Sequence, residues 1–269
     1  MARHASSPPG FLSGLVDRFQ AGGRYTFTRE EVVRETKLSA VAVESALRRL
    51  RAAGRIATLR RGLYVIVPVE YRTAGAPPPP WFVDDLMRFL GQPYYVGLLS
   101  AAALHGAAHQ QPMVFQVVTD RPTRPARVGR SRIVFHAARN VQRIPAVRKN
   151  TETGTLLVAT PEATAFDLVR FSAAAGQWSH VATILSELGD SLSGDALVLV
   201  AAEHAVPDTQ RLGYLLELVG EGRCTQALAR WLAGRRFRPV VLAPGRRGGK
   251  AKPDSRWRVI PNAEIEVDG

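Results

Sequence analysis

Residues 39–67 read SAVAVESALRRLRAAGRIATLRRGLYVIV, and this stretch decides the fold predicted for the first part of the chain. Ser39 is suited to cap a helix, because its hydroxyl accepts a hydrogen bond from a backbone N–H of the first turn. The apolar side chains that follow recur at helical spacing and form one stripe, made of Val43, Ala46, Leu47 and Leu50. Gly54 then suits the left-handed position that ends a helix. The pattern therefore predicts an amphipathic helix.

Two short β-rich runs follow this helix and predict a hairpin. The runs are 55–59 and 63–67, and they are joined across the tripeptide Arg60-Arg61-Gly62. At about 100° per residue, the helix face opposite the apolar stripe carries polar and basic side chains, among them Arg48 and Arg49. A helix with a basic outer face, followed by an arginine-tipped hairpin, is typical of a recognition helix and the wing of a DNA-binding domain.

The preceding residues complete this pattern. Apolar residues between 11 and 19 space as one face of a first helix, which Gly22 and Gly23 end. Thr28 and Glu31 form a capping box, in which each side chain satisfies a backbone donor of the other residue, and they open a second helix. The order helix, helix, short turn, helix, hairpin predicts a winged helix-turn-helix domain.

The predicted DNA contacts lie on the outer face of the third helix and at the wing tip. Arginines bind phosphates, which position the protein, whereas side chains at the start of the helix reach the base edges. We predict that phosphates are bound by Arg48, Arg49, Arg60 and Arg61, and that bases are read by Val41, Glu44, Ser45 and in part by Arg48. The alternative is a winged helix that docks another protein, with its arginines merely solvated.

The composition agrees with a protein that binds nucleic acid. The chain has 269 residues and a net charge of +13, and its sequence pI is about 10.9. A GC-rich genome, which makes its proteins rich in arginine and alanine, would explain part of this charge, but not its concentration at winged-helix positions. No apolar run approaches the roughly 20 residues that cross a bilayer, and the start of the chain lacks a signal-peptide core. We therefore expect a cytoplasmic protein without a membrane partner.

A proline-rich segment is expected to separate two domains. Residues 77–80 are four consecutive prolines, which favour a stiff extended segment. We predict an α+β protein: a winged helix-turn-helix domain over 1–72, a linker over 73–80, and a mixed α/β domain over 81–269. Within the second domain, Tyr94–Gly106 and the stretch that begins at Thr160 are predicted to form helices, the latter capped by Thr160 with proline next.

A second basic segment lies between two β-rich runs of the predicted second domain. Residues 120–131 are expected to form a loop with four arginines, Arg121, Arg124, Arg127 and Arg130. Such a loop suits a second nucleic-acid contact or a docking site for an acidic partner, and a solvated loop is the plain alternative.

No cofactor or metal is expected from the remaining motifs. His105 and His109 have the spacing of two metal ligands but lack the glutamate of an HExxH motif, which favours a structural role. The glycine-rich residues 245–253 lack the spacing of a phosphate-binding P-loop.

Five stretches together resemble a known family. They are RRGLYVI (60–66), YYVGLLSAAALHG (94–106), TPEATAFDLVR (160–170), QRLGYLLELVG (210–220) and RWRVIPNAEIE (256–266). In this order they resemble the AbiEi antitoxins of type IV toxin–antitoxin systems.

The resemblance implies a winged domain that binds inverted repeats in its own promoter and represses the operon. It also implies a C-terminal domain that counteracts a toxin of the nucleotidyltransferase fold, and DNA contacts at Arg48, Arg49, Arg60 and Arg61. By the same resemblance, core or antitoxicity positions are Tyr95, Ser100, His105, Asp167, Arg170, Arg211, Tyr214 and Glu217. Two copies are expected to meet on an inverted repeat.

Two other functions stay open at this point. The chain would be a ligand-responsive transcriptional regulator if its C-terminal domain bound a small molecule instead of a toxin. A metal-dependent nuclease would need clustered carboxylates; Glu264, Glu266 and Asp268 alternate near the end of the chain, but no lysine accompanies them. We therefore predict that the protein is not an enzyme.

Overall fold

The structure is a computed structural model that describes residues 11–107, 113–246 and 251–266. Its helices are α1 (Phe11–Ala21), α2 (Arg29–Thr36), α3 (Ala40–Ala52), α4 (Val83–Leu90), α5 (Leu98–Leu104), α6 (Pro161–Arg170), α7 (Gln177–Leu188), α8 (Gly194–Ala201), α9 (Val206–Leu218) and α10 (Gly222–Ala233). Its strands are β1 (Thr26–Thr28), β2 (Ile56–Arg60), β3 (Leu63–Ile66), β4 (Tyr94–Val96), β5 (Phe115–Thr119), β6 (Ala126–Val128), β7 (Ser131–Ala137), β8 (Ala146–Thr151), β9 (Gly154–Ala159), β10 (Val240–Val241) and β11 (Val259–Ile260). Within these described ranges, the helices are too short or too polar to cross a membrane.

The chain forms two compact units, and each unit uses separate segments of the sequence. The first unit contains Met1–Pro93, Pro122–Phe135 and Arg148–Leu156. The second unit contains Tyr94–Arg121, His136–Val147 and Leu157–Gly269. The domain limits 1–72, 73–80 and 81–269 stay a prediction.

The first unit contains the winged helix-turn-helix fold that the sequence predicts. Helices α1, α2 and α3 are followed by the antiparallel hairpin β2–β3, and the sheet has the order β1-β3-β2. The helices and the sheet share one core, formed by Leu12, Leu15, Val16, Phe27, Val32, Val43, Ala46, Leu47, Leu50, Ile56, Tyr64 and Ile66. The predicted apolar stripe of α3 is therefore buried as a whole.

The predicted ends of α2 and α3 are confirmed. Ser39 Oγ accepts a hydrogen bond from the amide of Ala42 at 3.3 Å. Gly54 has a φ of +64°, the left-handed conformation expected after the helix end. At the start of α2, the backbone N–H of Thr28 donates to Glu31 at 2.7 Å, and the backbone N–H of Glu31 donates to Thr28 Oγ1 at 3.1 Å. These contacts are local, which explains why the sequence predicted them.

Strand β1 was missed by the sequence analysis. It has only three residues and pairs with β3, with Thr26 opposite Val65 and Thr28 opposite Leu63. Its partner lies more than thirty residues further along the chain, so no turn signal in the sequence announces the pairing.

The loop predicted over 120–131 is wrong in part, because it contains strand β6. This strand forms an antiparallel hairpin with β7, and Arg127 lies opposite Arg132. The amide of Arg130 at the tip donates to the carbonyl of Ala74 at 2.8 Å. The hairpin thus belongs to the first unit, together with the winged helix.

The proline run and α4 also pack within the first unit. Residues Pro79–Trp81 form a 3-10 turn instead of a fully extended segment. The Trp81 ring lies edge-on to Tyr25 at 4.9 Å and to Tyr71 at 5.3 Å between centroids. From α4, Asp85 accepts a hydrogen bond from Thr26 Oγ1 at 2.5 Å.

The second unit is built around α6 and a mixed set of strands. Strand β4 pairs antiparallel with β5 and parallel with β9. Helix α6 begins at the predicted cap Thr160, and its residues from Glu162 to Val169 are all buried. It packs against α5, α7, α8 and α9. The predicted helix over Tyr94–Gly106 is divided: its first residues form β4, and α5 begins only at Leu98.

Candidate nucleic-acid interface

The outer face of α3 is open to solvent, and its predicted base-reading residues differ in their surroundings. Val41 is 78% exposed, an unusual position for a valine. Ser45 is half-buried. Glu44 lies 3.6 Å from the guanidinium of Arg51, two turns along the helix. The predicted phosphate contacts Arg48 and Arg49 are both exposed. The face therefore combines a free apolar methyl surface with a row of basic side chains.

The two arginines of the wing have different surroundings. Arg61 is exposed and makes no hydrogen bond or ion pair with any described residue. Arg60 is half-buried, and its guanidinium donates to the backbone carbonyls of Arg124 and Pro125. It also lies over the ring of Phe135 at 5.8 Å. Burial lowers the pKa of Arg60. Arg60 thus ties the wing to the β6–β7 hairpin, while Arg61 points its charge outward.

The β6–β7 hairpin brings more arginines into the first unit. Arg124, Arg127, Arg130 and Arg132 are all exposed. Because Arg127 and Arg132 are cross-strand partners, two like charges lie side by side, which is unfavourable unless an anion lies between them. Arg121 belongs to the second unit, where it lies 3.3 Å from Asp120. Arg121 is therefore assigned to a different unit from the other three arginines of the predicted loop.

Three of the C-terminal residues named by resemblance, Arg211, Tyr214 and Glu217, lie on α9. The side chain of Arg211 is 13% exposed, and its Nε donates to the carbonyl of Val241 at 3.0 Å. Glu217 accepts hydrogen bonds from Thr225 Oγ1 at 3.1 Å and from Trp257 Nε1 at 2.8 Å. Tyr214 is half-buried. Arg211 and Glu217 thus hold later segments of the chain against α9.

One buried titratable group lies at the centre of the second unit, at a position that the resemblance left as either core or antitoxicity. Asp167 is fully buried, and Tyr95 donates to its Oδ1 at 3.1 Å. Burial raises the pKa of Asp167 to about 7, although Tyr95 and Arg170 oppose that rise. Burial also raises the pKa of Tyr95 and lowers the pKa of His204 to about 4. Asp167 is buried because other helices pack around α6, and the helical periodicity of the sequence does not reveal that packing.

A cleft of about 680 Å³ lies within the first unit, beside the edge strand β1. Aromatic walls from Tyr25 and Trp81 face a polar side with Asp84, Asp85 and Arg88. Arg88 pairs with both carboxylates, at 2.9 Å from Asp85. The cleft is wide enough for a small molecule.

The residues that the sequence analysis considered as metal ligands are described only in part. His105 Nε2 lies 2.7 Å from the carbonyl oxygen of Ala159. His109 and Asp268 lie outside the described residues. Among the residues described, no group of three or more histidine, cysteine, aspartate or glutamate side chains is arranged to hold a metal ion.

Comparison with known proteins gives two matches of one family. Residues 95–218 match the family model described as AbiEi antitoxin C-terminal domain. Residues 15–67 match the model described as transcriptional regulator, AbiEi antitoxin. No curated protein matched the sequence. A crystal structure of the RV2827C protein from Mycobacterium tuberculosis is similar, with 18% identity, a TM-score of 0.68, and coverage of 94% of this chain and 92% of that one. At this level of sequence identity, the similarity shows that the two proteins share a fold.

Proposed function

The chain belongs to the AbiEi antitoxins, a family of antitoxins and transcriptional regulators, and on this premise we propose that it is a cytoplasmic DNA-binding autorepressor. In this proposal the winged helix binds inverted repeats in the promoter of its own operon, as two copies on the repeat. The second unit neutralises a toxin of the nucleotidyltransferase fold. The protein itself catalyses no reaction.

The observation that carries the DNA-binding proposal is the exposed basic face of α3 next to the wing. Arg48, Arg49 and Arg61 have guanidinium groups open to solvent, so they can meet phosphates without breaking an internal contact. Val41, an exposed large apolar residue of α3, suits the methyl group of thymine. Glu44 and Ser45 are the proposed polar contacts to bases, and the carboxylate of Glu44, which lies 3.6 Å from Arg51, can accept from cytosine through its other oxygen.

We further propose that Arg60 acts indirectly and that the β6–β7 hairpin is a second phosphate contact. The Arg60 guanidinium is bound to the carbonyls of residues 124 and 125, so it fixes the hairpin beside the wing. A DNA phosphate would relieve the repulsion between the cross-strand pair Arg127 and Arg132. Arg124 and Arg130 are proposed to extend the same surface. Arg121, Arg211, Tyr214 and Glu217 are proposed to serve antitoxicity in the second unit.

Operator binding tests the first half of this proposal. The Arg48→Ala/Arg61→Ala variant is expected to lower the affinity for promoter DNA and to flatten its salt dependence by about 1.8 in log–log slope, at about 0.9 for each lost phosphate contact. The Arg18→Ala/Arg34→Ala variant, which removes two exposed arginines of the first unit outside α3 and the wing, serves as the matched control for net charge. Unchanged operator affinity in the double variant would move the DNA site away from α3 and the wing.

Co-expression tests the antitoxin half. The chain is expected to rescue the growth of cells that express the toxin encoded beside it, and the Arg48→Ala/Arg61→Ala variant is expected to rescue growth equally. Loss of rescue in that variant would show that DNA binding and antitoxicity use the same residues. Absence of rescue by the unaltered chain would leave only the regulatory role.

The cleft beside β1 favours a second candidate, a ligand-responsive regulator. Its aromatic and charged walls lie against the sheet that carries the wing, within the same unit. A small molecule bound there would alter the winged helix by changing the hydrogen bond that Thr26 of β1 donates to Asp85 of α4. A metabolite that releases operator DNA from the chain in the absence of any toxin would favour this candidate over the antitoxin.

A further inference from the structure

A second basic site lies in the second unit and is formed by residues other than those proposed to bind DNA. A cavity of about 450 Å³ is lined by four arginines and by an apolar wall that includes Leu232 and Phe237. Two of the arginines, Arg235 and Arg236, follow α10, and the other two, Arg256 and Arg258, precede β11. Two separate segments of the chain, at 235–237 and 255–258, thus direct cationic side chains to one cavity.

A buried tryptophan holds one of these segments in place. Trp257 lies between Arg256 and Arg258 in sequence and is fully buried. Its ring packs on Gly213 of α9, where a Cβ would lie only 2.2 Å from the ring, and its Nε1 donates to Glu217 at 2.8 Å. Because Trp257 is held by both the packing of its ring and its hydrogen bond, the backbone positions of Arg256 and Arg258 are fixed.

Arg258 adopts a backbone conformation that is unfavourable for its residue type. Its φ is +53°, in the left-handed region that favours glycine. The guanidinium donates to the carbonyl of Phe237 at 2.9 Å and lies 5.1 Å from the centre of that ring. Such outliers persist only where the surroundings determine them, and they concentrate at binding sites.

The cavity keeps an excess of positive charge. Among the described residues, one carboxylate forms an ion pair with an arginine of the cavity: Glu217 lies 2.6 Å from Arg256. Arg235 stacks on Trp231, 3.5 Å from the ring centre, and Arg236 is exposed without a hydrogen bond or ion pair to a described residue. Each guanidinium carries five N–H donors, so most of the donors around the cavity stay available.

We propose that this arginine-lined cavity binds a nucleotide. Arg236, Arg256 and Arg258 hold the phosphate, since guanidinium groups match phosphate oxygens in pairs. The base lies against the apolar wall at Phe237, and the volume falls in the range of small-molecule sites. The nucleotide is either free or part of a single strand, because both present a phosphate beside an unstacked base.

Titration of the full-length chain with three probes tests the proposal: inorganic phosphate, a 5′-mononucleotide, and a short single-stranded oligonucleotide. The Arg236→Ala and Arg258→Asn variants are each expected to weaken nucleotide binding about tenfold, the effect of losing a charged hydrogen bond. Asparagine is chosen at 258 because it tolerates a positive φ. The control is Arg230→Ala, which removes an exposed arginine of α10 outside the cavity and is expected to change binding less than twofold.

The probes separate the two sources of nucleotide. Binding of the mononucleotide supports a free ligand, and binding of the oligonucleotide alone supports a strand. Equal weakening by all three variants would overturn the proposal, because it would reflect net charge only. Binding of inorganic phosphate as tight as that of either nucleotide probe would also overturn it, since the apolar wall would then take no part. Because the Arg61→Ala variant keeps this cavity, its binding of the mononucleotide stays intact whatever happens to operator binding.

Discussion

Arg60 and Arg61 are adjacent in sequence, but their side chains have opposite surroundings. Arg60 donates to two backbone carbonyls, whereas Arg61 is free in solvent among the described residues. We predict that Arg61→Ala flattens the salt dependence of operator binding by about 0.9 in log–log slope, with no change in thermal stability. Arg60→Ala is expected to lower the unfolding free energy by about 1–2 kcal/mol, because two hydrogen bonds are lost. Thermal unfolding of both variants checks this difference, and equal melting temperatures would contradict it.

Asp167 and His204 make the stability of the second unit depend on pH in opposite directions. The folded pKa of Asp167, about 7, lies above its ordinary value of 3.8, so its contribution to stability falls as pH rises from about 4 to 7. The folded pKa of His204, about 4, lies below its ordinary value of 6.5, so its contribution rises over nearly the same window. The two effects largely cancel in the native protein.

Substitution of Asp167 is expected to remove one of the two opposing effects and to leave a net pH dependence of stability. In Asp167→Asn, the unfolding free energy should rise with pH between about 4.5 and 6.5 by up to roughly 1.4 kcal/mol per pH unit more than in the unaltered chain. His204→Gln should shift the slope in the opposite direction. Chemical denaturation at several pH values measures both slopes, and parallel curves for the three proteins would refute the assignment.

At the scale of elements, two helix glycines differ in the space around them: one lies against a packed ring, and the other has no neighbour among the described residues where a side chain would be. A Cβ at Gly213 of α9 would meet the Trp257 ring at 2.2 Å, whereas a Cβ at Gly14 of α1 would meet nothing within 4 Å. We predict that Gly213→Ala lowers the unfolding free energy by about 1–3 kcal/mol through overpacking. Gly14→Ala is expected to raise it by about 0.5–1 kcal/mol, because alanine is the better helix former. Denaturant unfolding checks both signs, and stabilisation by Gly213→Ala would show that Trp257 can move away.

At the scale of the whole molecule, the winged helix depends on chain segments far beyond its own sequence. Trp81 packs on Tyr25, Asp85 accepts from Thr26, and the carbonyls of residues 124 and 125 accept from Arg60. We predict that a fragment of residues 1–72 melts at a lower temperature than the first unit in the full chain and binds operator DNA more weakly. Thermal unfolding and operator titration of the fragment measure this, and full operator affinity would show that the later segments are dispensable.

The sequence by itself determined the winged helix: the apolar stripe of α3, the caps at Ser39 and Thr28, the left-handed Gly54 and the charge on the outer face. These features depend on contacts within about four residues, so periodicity and capping chemistry are enough to predict them. Only the tertiary structure decided that Arg60 ties the wing to a hairpin, that Asp167 is buried, and that Trp257 fixes two arginines at a cavity. Those contacts join residues between 40 and 72 positions apart, and they form only when distant elements pack together.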